Sequence, residues 1–363
     1  MRDRRGPAAC TSQMGGGLCR SVSWCFGSSS TRWWHTWLPA ALLLALLAAV
    51  AGCSAAPSDT PAPAATLTVP PTVTPAPSAT PTVPLPDPAL CWVAYSPTNY
   101  SPDVGQLPST TSLRADLALL YDAGFRGLMT YRAEHSLAAL PQLAHEAGFA
   151  QVIMGVWDPL SEDEVATAIA AAPAVDGYIV GFEGVGDHNY ALADLRQVLA
   201  RVRGETGRAV TTAERIDDYF DGDELLELGD WLAPIVHPYW ANQIEPAQAV
   251  QWTAVQYGNL RGRAGPGRMI LLSEVGLPSA GDPRVSEAAQ AAYYQALQQA
   301  QVPFTYLEAF DQTGKTRRPV EPFWGLFDAQ RAPKPAAGCV CGRTPGQQPT
   351  ARATPTPAAG IAL

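Results

Sequence analysis

The middle of the chain switches repeatedly between two hydrophobic periods. Short apolar runs stand at 91–95, 127–131, 151–156, 177–182, 209–212, 232–237, 269–273 and 304–309. Each has strand length and is bounded by polar or turn-forming residues. Between them, 113–122, 137–147, 162–172, 190–202, 246–257 and 286–300 carry apolar residues at helical spacing. Ser161 with Glu164, and Ser286 with Glu287, read as helix starts, while Gly124 and Gly148 read as helix ends. Near-continuous apolar strands are buried on both faces, as in a parallel sheet covered by helices, and the crossovers of such a sheet are right-handed. Eight units within 89–337 predict the α/β class, as a closed (β/α)8 TIM barrel rather than an open doubly wound sheet. The first strand runs into Ser96 and Pro97 instead of a glycine-rich loop, which weighs against a dinucleotide site.

The flanks read differently. Residues 1–37 carry Arg2, Arg4, Arg5, Arg20 and Arg32 against the single acid Asp3, and 38–52 are apolar. Fifteen such residues are short for a membrane span and suit the core of a signal peptide, so 1–52 is expected to be one. The basic part is long, and Met14 offers an internal start. The run Val50-Ala51-Gly52-Cys53 resembles a bacterial lipobox, which implies lipidation at Cys53 and a membrane partner through that anchor. A plain secretory signal and an uncleaved anchor are the other readings of the segment. From 54 to 88, 11 of 35 residues are Pro and seven are Thr. Proline fixes φ and removes a donor, so this reads as an extended linker reaching at most about 110 Å. A second tail of this kind is expected over 338–363. The expected location is extracytoplasmic, on a bacterial cell membrane.

Charge narrows the partners. With 24 Lys and Arg against 33 Asp and Glu, the net charge is −9, which argues against nucleic acid. In a barrel the chemistry sits at the C-terminal strand ends. There the sequence places Tyr95, Tyr131, Trp157, Glu183, Glu214, His237-Pro238-Tyr239-Trp240, Glu274 and Glu308. Carboxylates interleaved with aromatic rings suit a sugar, because the rings stack on pyranose C–H faces and the carboxylates take hydroxyl hydrogen bonds. Two carboxylates can also act on a glycosidic bond. Glu183 and Glu274 stand out, each closing an apolar strand, the fourth and the seventh. The same residues also have blander readings: a lone Glu as a solvated or paired charge, the rings, Trp324 among them, as core. His237 has no second ligand at metal spacing, so neither a metal nor a cofactor is expected. Asp187-His188-Asn189 reads as a turn and helix cap.

Taken in order, these fragments resemble glycoside hydrolase family 17, the β-1,3-glucanases. The resemblance covers most of 91–335: Tyr95-Ser-Pro, Arg126 to Tyr131, Gly155-Val-Trp157, Ile179-Val-Gly-Phe-Glu183, Val210 to Glu214, His237 to Trp240, Ile270 to Ser279, Tyr306 to Asp311, Lys315, Glu321 to Phe327 and Pro333-Lys334. It implies a retaining β-1,3-glucan hydrolase or transglycosylase, with Glu183 as acid/base and Glu274 as nucleophile. It also implies that Glu308 and Lys315 line the cleft, and that the partner is a β-glucan polysaccharide or oligosaccharide. Tyr95, Tyr131, Trp157, Glu214, His237, Tyr239 and Trp240 are expected to bind substrate. Two positions depart from the family: Phe182 stands where Asn usually precedes the acid/base, and Leu277 where Trp follows the nucleophile. That Asn bonds the sugar 2-OH in related barrels, so its loss leaves a second reading, a non-catalytic carbohydrate-binding surface lipoprotein using the same cleft. The chain is expected to act as a monomer.

Three cysteines lie at the ends of the folded part. The start of the first strand and the end of the last helix meet at the bottom of a barrel. A bridge from Cys91 to Cys339 or Cys341 is therefore allowed outside the cytosol, with three free thiols as the alternative.

Overall fold

The computed structural model describes residues 83–101 and 105–342. The signal segment, Cys53, most of the linker and the tail from 343 lie outside the described residues. Eight parallel strands form one sheet in the order β5-β4-β3-β2-β1-β8-β7-β6. They are β1 (Trp92–Tyr95), β2 (Gly127–Thr130), β3 (Gln151–Val156), β4 (Gly177–Phe182), β5 (Ala209–Ala213), β6 (Ile235–Val236), β7 (Leu272–Val275) and β8 (Phe304–Tyr306). At the seam between β5 and β6, Arg215 and Ile235 form a single parallel bridge. There the Ile235 amide donates to Glu214 O (2.8 Å) and the Ile216 amide to Ile235 O (2.9 Å). The result is the (β/α)8 barrel that the alternating periods predict.

Alternation along each strand builds two cores. Trp92, Met129, Ile153, Ile179, Trp231 and Leu271 fill the barrel interior. Val93, Leu128, Val152, Tyr178 and Val210 point outward and pack with helix residues such as Leu113, Leu117 and Leu195. Gly127 leaves room for the Trp92 ring, since a Cβ there would lie 2.2 Å from it. The helices are α1 (Thr110–Ala123), α2 (Leu140–Ala147), α3 (Glu162–Ala170), α4 (Leu192–Thr206), α5 (Asp218–Asp221), α6 (Pro246–Ala264) and α7 (Glu287–Leu297). Ser161 and Ser286 cap α3 and α7 by accepting from the amides of Glu164 and Ala289. Gly124 and Gly148 close α1 and α2 at φ 121° and 105°.

Two of the eight units depart from the expected pattern. The helix after β5 is one turn, because 217–227 is dense in Asp and Glu, whose like charges repel along a helix. After β8 no α-helix forms among the described residues. Pro319, Pro322, Pro333 and Pro335 interrupt the amide ladder there. A 3-10 segment, Pro335–Gly342, takes the eighth helix's place, burying Ala336 and Val340. Residues 338–342, expected in the tail, belong to this segment. This segment also carries Cys341, which is bonded to Cys91 across 250 positions of sequence. Of the two partners left open for Cys91, the structure takes Cys341.

Candidate active site

Each candidate catalytic glutamate is reached through an extra residue in its strand. On β4, Ile179 and Phe182 pair with Thr211 and Ala213 of β5, so three steps face two. On β7, Leu272 and Val275 pair with Phe304 and Tyr306 of β8, again three against two. A bulge of this kind re-aims the side chains that follow it. With strict alternation from Leu272, which faces the helices, Glu274 would face them too. Instead Val275 joins the outer core and Glu274 turns to the barrel mouth, 9% exposed. On β4 the bulge is carried by Gly181, at φ 82°, where a Cβ would lie 2.2 Å from the Tyr190 hydroxyl. It delivers Phe182 to the interior cluster and Glu183 to the rim in a left-handed conformation, φ 54°.

The two carboxylates act on one another. Burial, then the charge of Glu274, pushes the Glu183 carboxyl up to about 7, while His237 and Arg215 oppose the shift. His237 Nε2 lies 3.3 Å from Glu274 Oε2 without hydrogen-bond geometry, and it is buried with no other partner. The Tyr131 hydroxyl is buried beside the same Glu274 carboxylate. Burial and then the Glu274 charge raise it far above the usual phenol value. Glu308 is fully buried and takes the Lys315 ammonium on both oxygens (2.9 and 3.2 Å). Burial raises its carboxyl, and the Lys315 charge works against that rise.

Aromatic rings wall the mouth on two sides. Phe182 stacks on Trp157 (5.5 Å, 15°) and meets Tyr131 at 5.3 Å. Across from them Trp324 packs on His237 (5.3 Å), Tyr239 (6.2 Å) and Trp240 (6.2 Å). Trp240 is 43% exposed, with the Arg318 guanidinium 4.5 Å over its ring. The Tyr239 hydroxyl donates to Asp282 (2.8 Å).

Two expected substrate contacts have other jobs. Tyr95 is odd-numbered on β1 with Val93, so it points outward; its hydroxyl donates to Asp116 on α1 (2.8 Å) and its ring packs on Phe310. It is a core residue. Glu214 is fully buried and accepts from the amides of Val185 (3.1 Å) and Gly186 (3.3 Å), which holds the turn after Glu183. Burial pushes its carboxyl up to about 7 despite those two donors. The Asp187-His188-Asn189 turn forms, with Asp187 paired to Arg215 (2.6 Å), but the N-cap of α4 is Ala191, which gives no side-chain cap. Leu277 is packed in the outer core.

Sequence reasoning takes Glu164 only as part of a helix start with Ser161. It looks like an ordinary first-turn acid of α3, yet it is buried and accepts from Trp157 N (2.9 Å), Asp158 N (3.0 Å) and Ala133 N (3.1 Å). It thereby ties the loops after β2 and β3 together. The buried Gln290 of α7 does similar work, donating toward Leu277 O, Trp324 O and Gly325 O. No spacing in the sequence marks these loop-tying roles. Among the described residues, no group of three His, Cys, Asp or Glu side chains is placed to hold a metal.

A model of the BtgE/BtgC glycoside hydrolase domain matches residues 93–325, the barrel from β1 to the loop after β8. The chain belongs to this glycoside hydrolase family. It is 28% identical over 201 residues to a probable beta-glucosidase btgE of Aspergillus clavatus, a match covering 50% of this chain. The match spans only 35% of that relative's length. Among solved structures, the barrel is similar to an active-site mutant of Rhizomucor miehei beta-1,3-glucanosyltransferase in complex with laminaritriose. The TM-score is 0.57 at 22% identity, over 71% of this chain and 97% of that one. It is also similar to CJP38, a beta-1,3-glucanase and allergen of Cryptomeria japonica pollen. There the TM-score is 0.51 at 15% identity, over 67% of this chain and 97% of the other. At these identities the two structures speak for the fold.

Proposed function

We propose that this glycoside hydrolase cleaves β-1,3-linked glucan with retention, passing the glycosyl group to water or to a second sugar, as in the family 17 glucanases it resembles. The observation that carries the reading is the pair of bulges that aim Glu183 and Glu274 into one mouth, where burial and then the charge of Glu274 push the Glu183 carboxyl up to about 7. Glu274 attacks the anomeric carbon, and the bond to the leaving oxygen breaks as Glu183 gives that oxygen its proton. The covalent glycosyl-enzyme is then opened by water or a sugar hydroxyl, whose proton returns to Glu183. Such a mechanism needs the carboxyl groups about 5–5.5 Å apart. Glu308, held by Lys315, completes the acidic floor, and the two aromatic walls stack on sugar faces. The β-1,3 linkage is supported by what the similar structures are named for.

The same reading keeps the domain outside the cytoplasm, tethered through Cys53 and acting as a monomer; the Cys91–Cys341 bridge favours an oxidising compartment. The test is digestion of laminarin by the full chain and by Glu274→Ala. Release of reducing ends or longer transfer products by the wild type, and at least 10³-fold less by the variant, is the expected result. Equal release by both, or release by neither, overturns the catalytic reading in favour of a sugar-binding cleft.

A further inference from the structure

Glu183 stands at the rim on a left-handed backbone, φ 54°. A non-glycine residue keeps that conformation only where its surroundings over-determine it. The turn that follows supplies part of the hold. Glu183 O accepts from Asp187 N (3.0 Å), Gly184 O accepts from Asn189 N (2.8 Å), and the Val185 and Gly186 amides donate to Glu214. One side chain fastens the turn from the next strand. Arg215 directly follows Glu214 and lies at the seam between β5 and β6, bridged to Ile235. Its guanidinium donates to Asp187 Oδ1 (2.6 Å), and its Nε lies 3.5 Å from Asp218 Oδ2. A Cβ on Gly186 would lie 2.4 Å from Arg215 Nη2, so the guanidinium is seated against the backbone of the turn.

The same side chain brings a charge. Glu183 faces Glu274 from β7, His237 from the end of β6, Arg215 from the end of β5 and Asp187 from its own turn, and its charge reaches Tyr131 and Glu214. Arg215 is the one permanent cation among these groups. It opposes the rise that burial and Glu274 impose on Glu183, while its partner Asp187 adds to that rise. A retaining cycle uses both forms of this carboxyl, the acid in the first step and the base in the second. A fixed cation beside it favours the ionised form that the second step requires. We infer that Arg215 is a positioning residue for Glu183: through Asp187 it holds the turn that aims the acid at the leaving oxygen, and it keeps a positive charge beside that acid. The inference rests on the proposed cleavage and adds the device that places its proton donor.

Leaving-group and pH dependence together test this. kcat/KM is measured across pH for wild type, Arg215→Met, Arg215→Lys and Asp187→Asn. The substrates are a β-1,3-oligoglucan and a β-1,3-oligoglucoside with a dinitrophenyl leaving group, which departs without help from an acid. Arg215→Met is expected to lose about tenfold or more on the oligoglucan and less than about threefold on the dinitrophenyl substrate. On the oligoglucan its alkaline limb moves to higher pH, because the charge that favours ionisation of Glu183 is gone. Arg215→Lys keeps the charge and so keeps the limb in place, and Asp187→Asn moves it to lower pH. Equal losses on the two substrates, no loss on either, or an unmoved limb in Arg215→Met overturns the assignment. Should Arg215→Met fail to fold, Asp187→Asn decides: a limb that does not move to lower pH overturns it. Absence of turnover on both substrates by the wild type refutes the cleavage reading itself, so the two failures are distinguishable.

Discussion

At the scale of the residue, the site turns on how burial treats each carboxyl. Glu183 loses its water and faces Glu274, so its proton is held up to about 7. A buried acid with a raised value stays protonated below it and ionises above it. An enzyme that needs Glu183 as a proton donor should therefore lose kcat/KM as pH climbs past about 7. Removing the neighbouring charge in Glu274→Gln lowers that value, which a carboxyl-resolved NMR titration of the variant would detect. A Glu183 value unmoved by the substitution would contradict the coupling. Most of these residues were legible in the sequence because strand ends are where a barrel keeps its chemistry. Tyr95 misled for a physical reason: on a period of two, one position along β1 decides between cleft and core, and Val93 and Tyr95 share the outward face.

At the scale of the element, the bulges on β4 and β7 do the aiming. Apolar runs reveal strands but not the extra residue within them, so the sequence alone puts Glu274 on a strand without showing which way it faces. The one local sign is Gly181, whose positive φ and contact with Tyr190 leave no space for a side chain. Gly181→Ala is expected to cost about 1–3 kcal/mol of stability and to lower activity with it, measured by urea unfolding and initial rates. Wild-type values for both would mean that the bulge is not needed. The loop after β8 has its own anchor. The buried Lys334 ammonium donates to Asp311 Oδ1 (2.6 Å) and Ser279 Oγ (2.8 Å). Lys334→Met strands the Asp311 charge and is expected to destabilise by about 3–5 kcal/mol; a denaturation midpoint within error of wild type would contradict that. Loop-bridging carboxylates such as Glu164 and Glu214 were illegible because their partners are backbone amides, which every sequence has.

At the scale of the whole molecule, the barrel was readable from eight alternations, while its two exceptions, which the alternation hides, have their causes in charge and proline. The runs of acids after β5 and of prolines after β8 both oppose a helix, and the 3-10 segment at 335–342 covers the gap. The Cys91–Cys341 bridge ties that segment to the first strand, fastening the two ends of the domain on one face. Replacing both cysteines by Ala is expected to lower stability by about 2–5 kcal/mol while leaving kcat/KM near wild type, because the bridge lies at the N-terminal end of β1, away from the rim. Unfolding curves and initial rates on the same preparations check this, and a lost activity without lost stability would contradict it. The central claim is that Glu274 takes the sugar covalently while Glu183 handles the proton. The most direct measurement is mass spectrometry of the chain after treatment with a 2-deoxy-2-fluoro β-glucosyl fluoride. A gain of one fluorosugar, mapped to the peptide at Glu274, is the predicted result. A label on another residue, or an unlabelled chain under conditions that label a known retaining glucanase, would contradict the account.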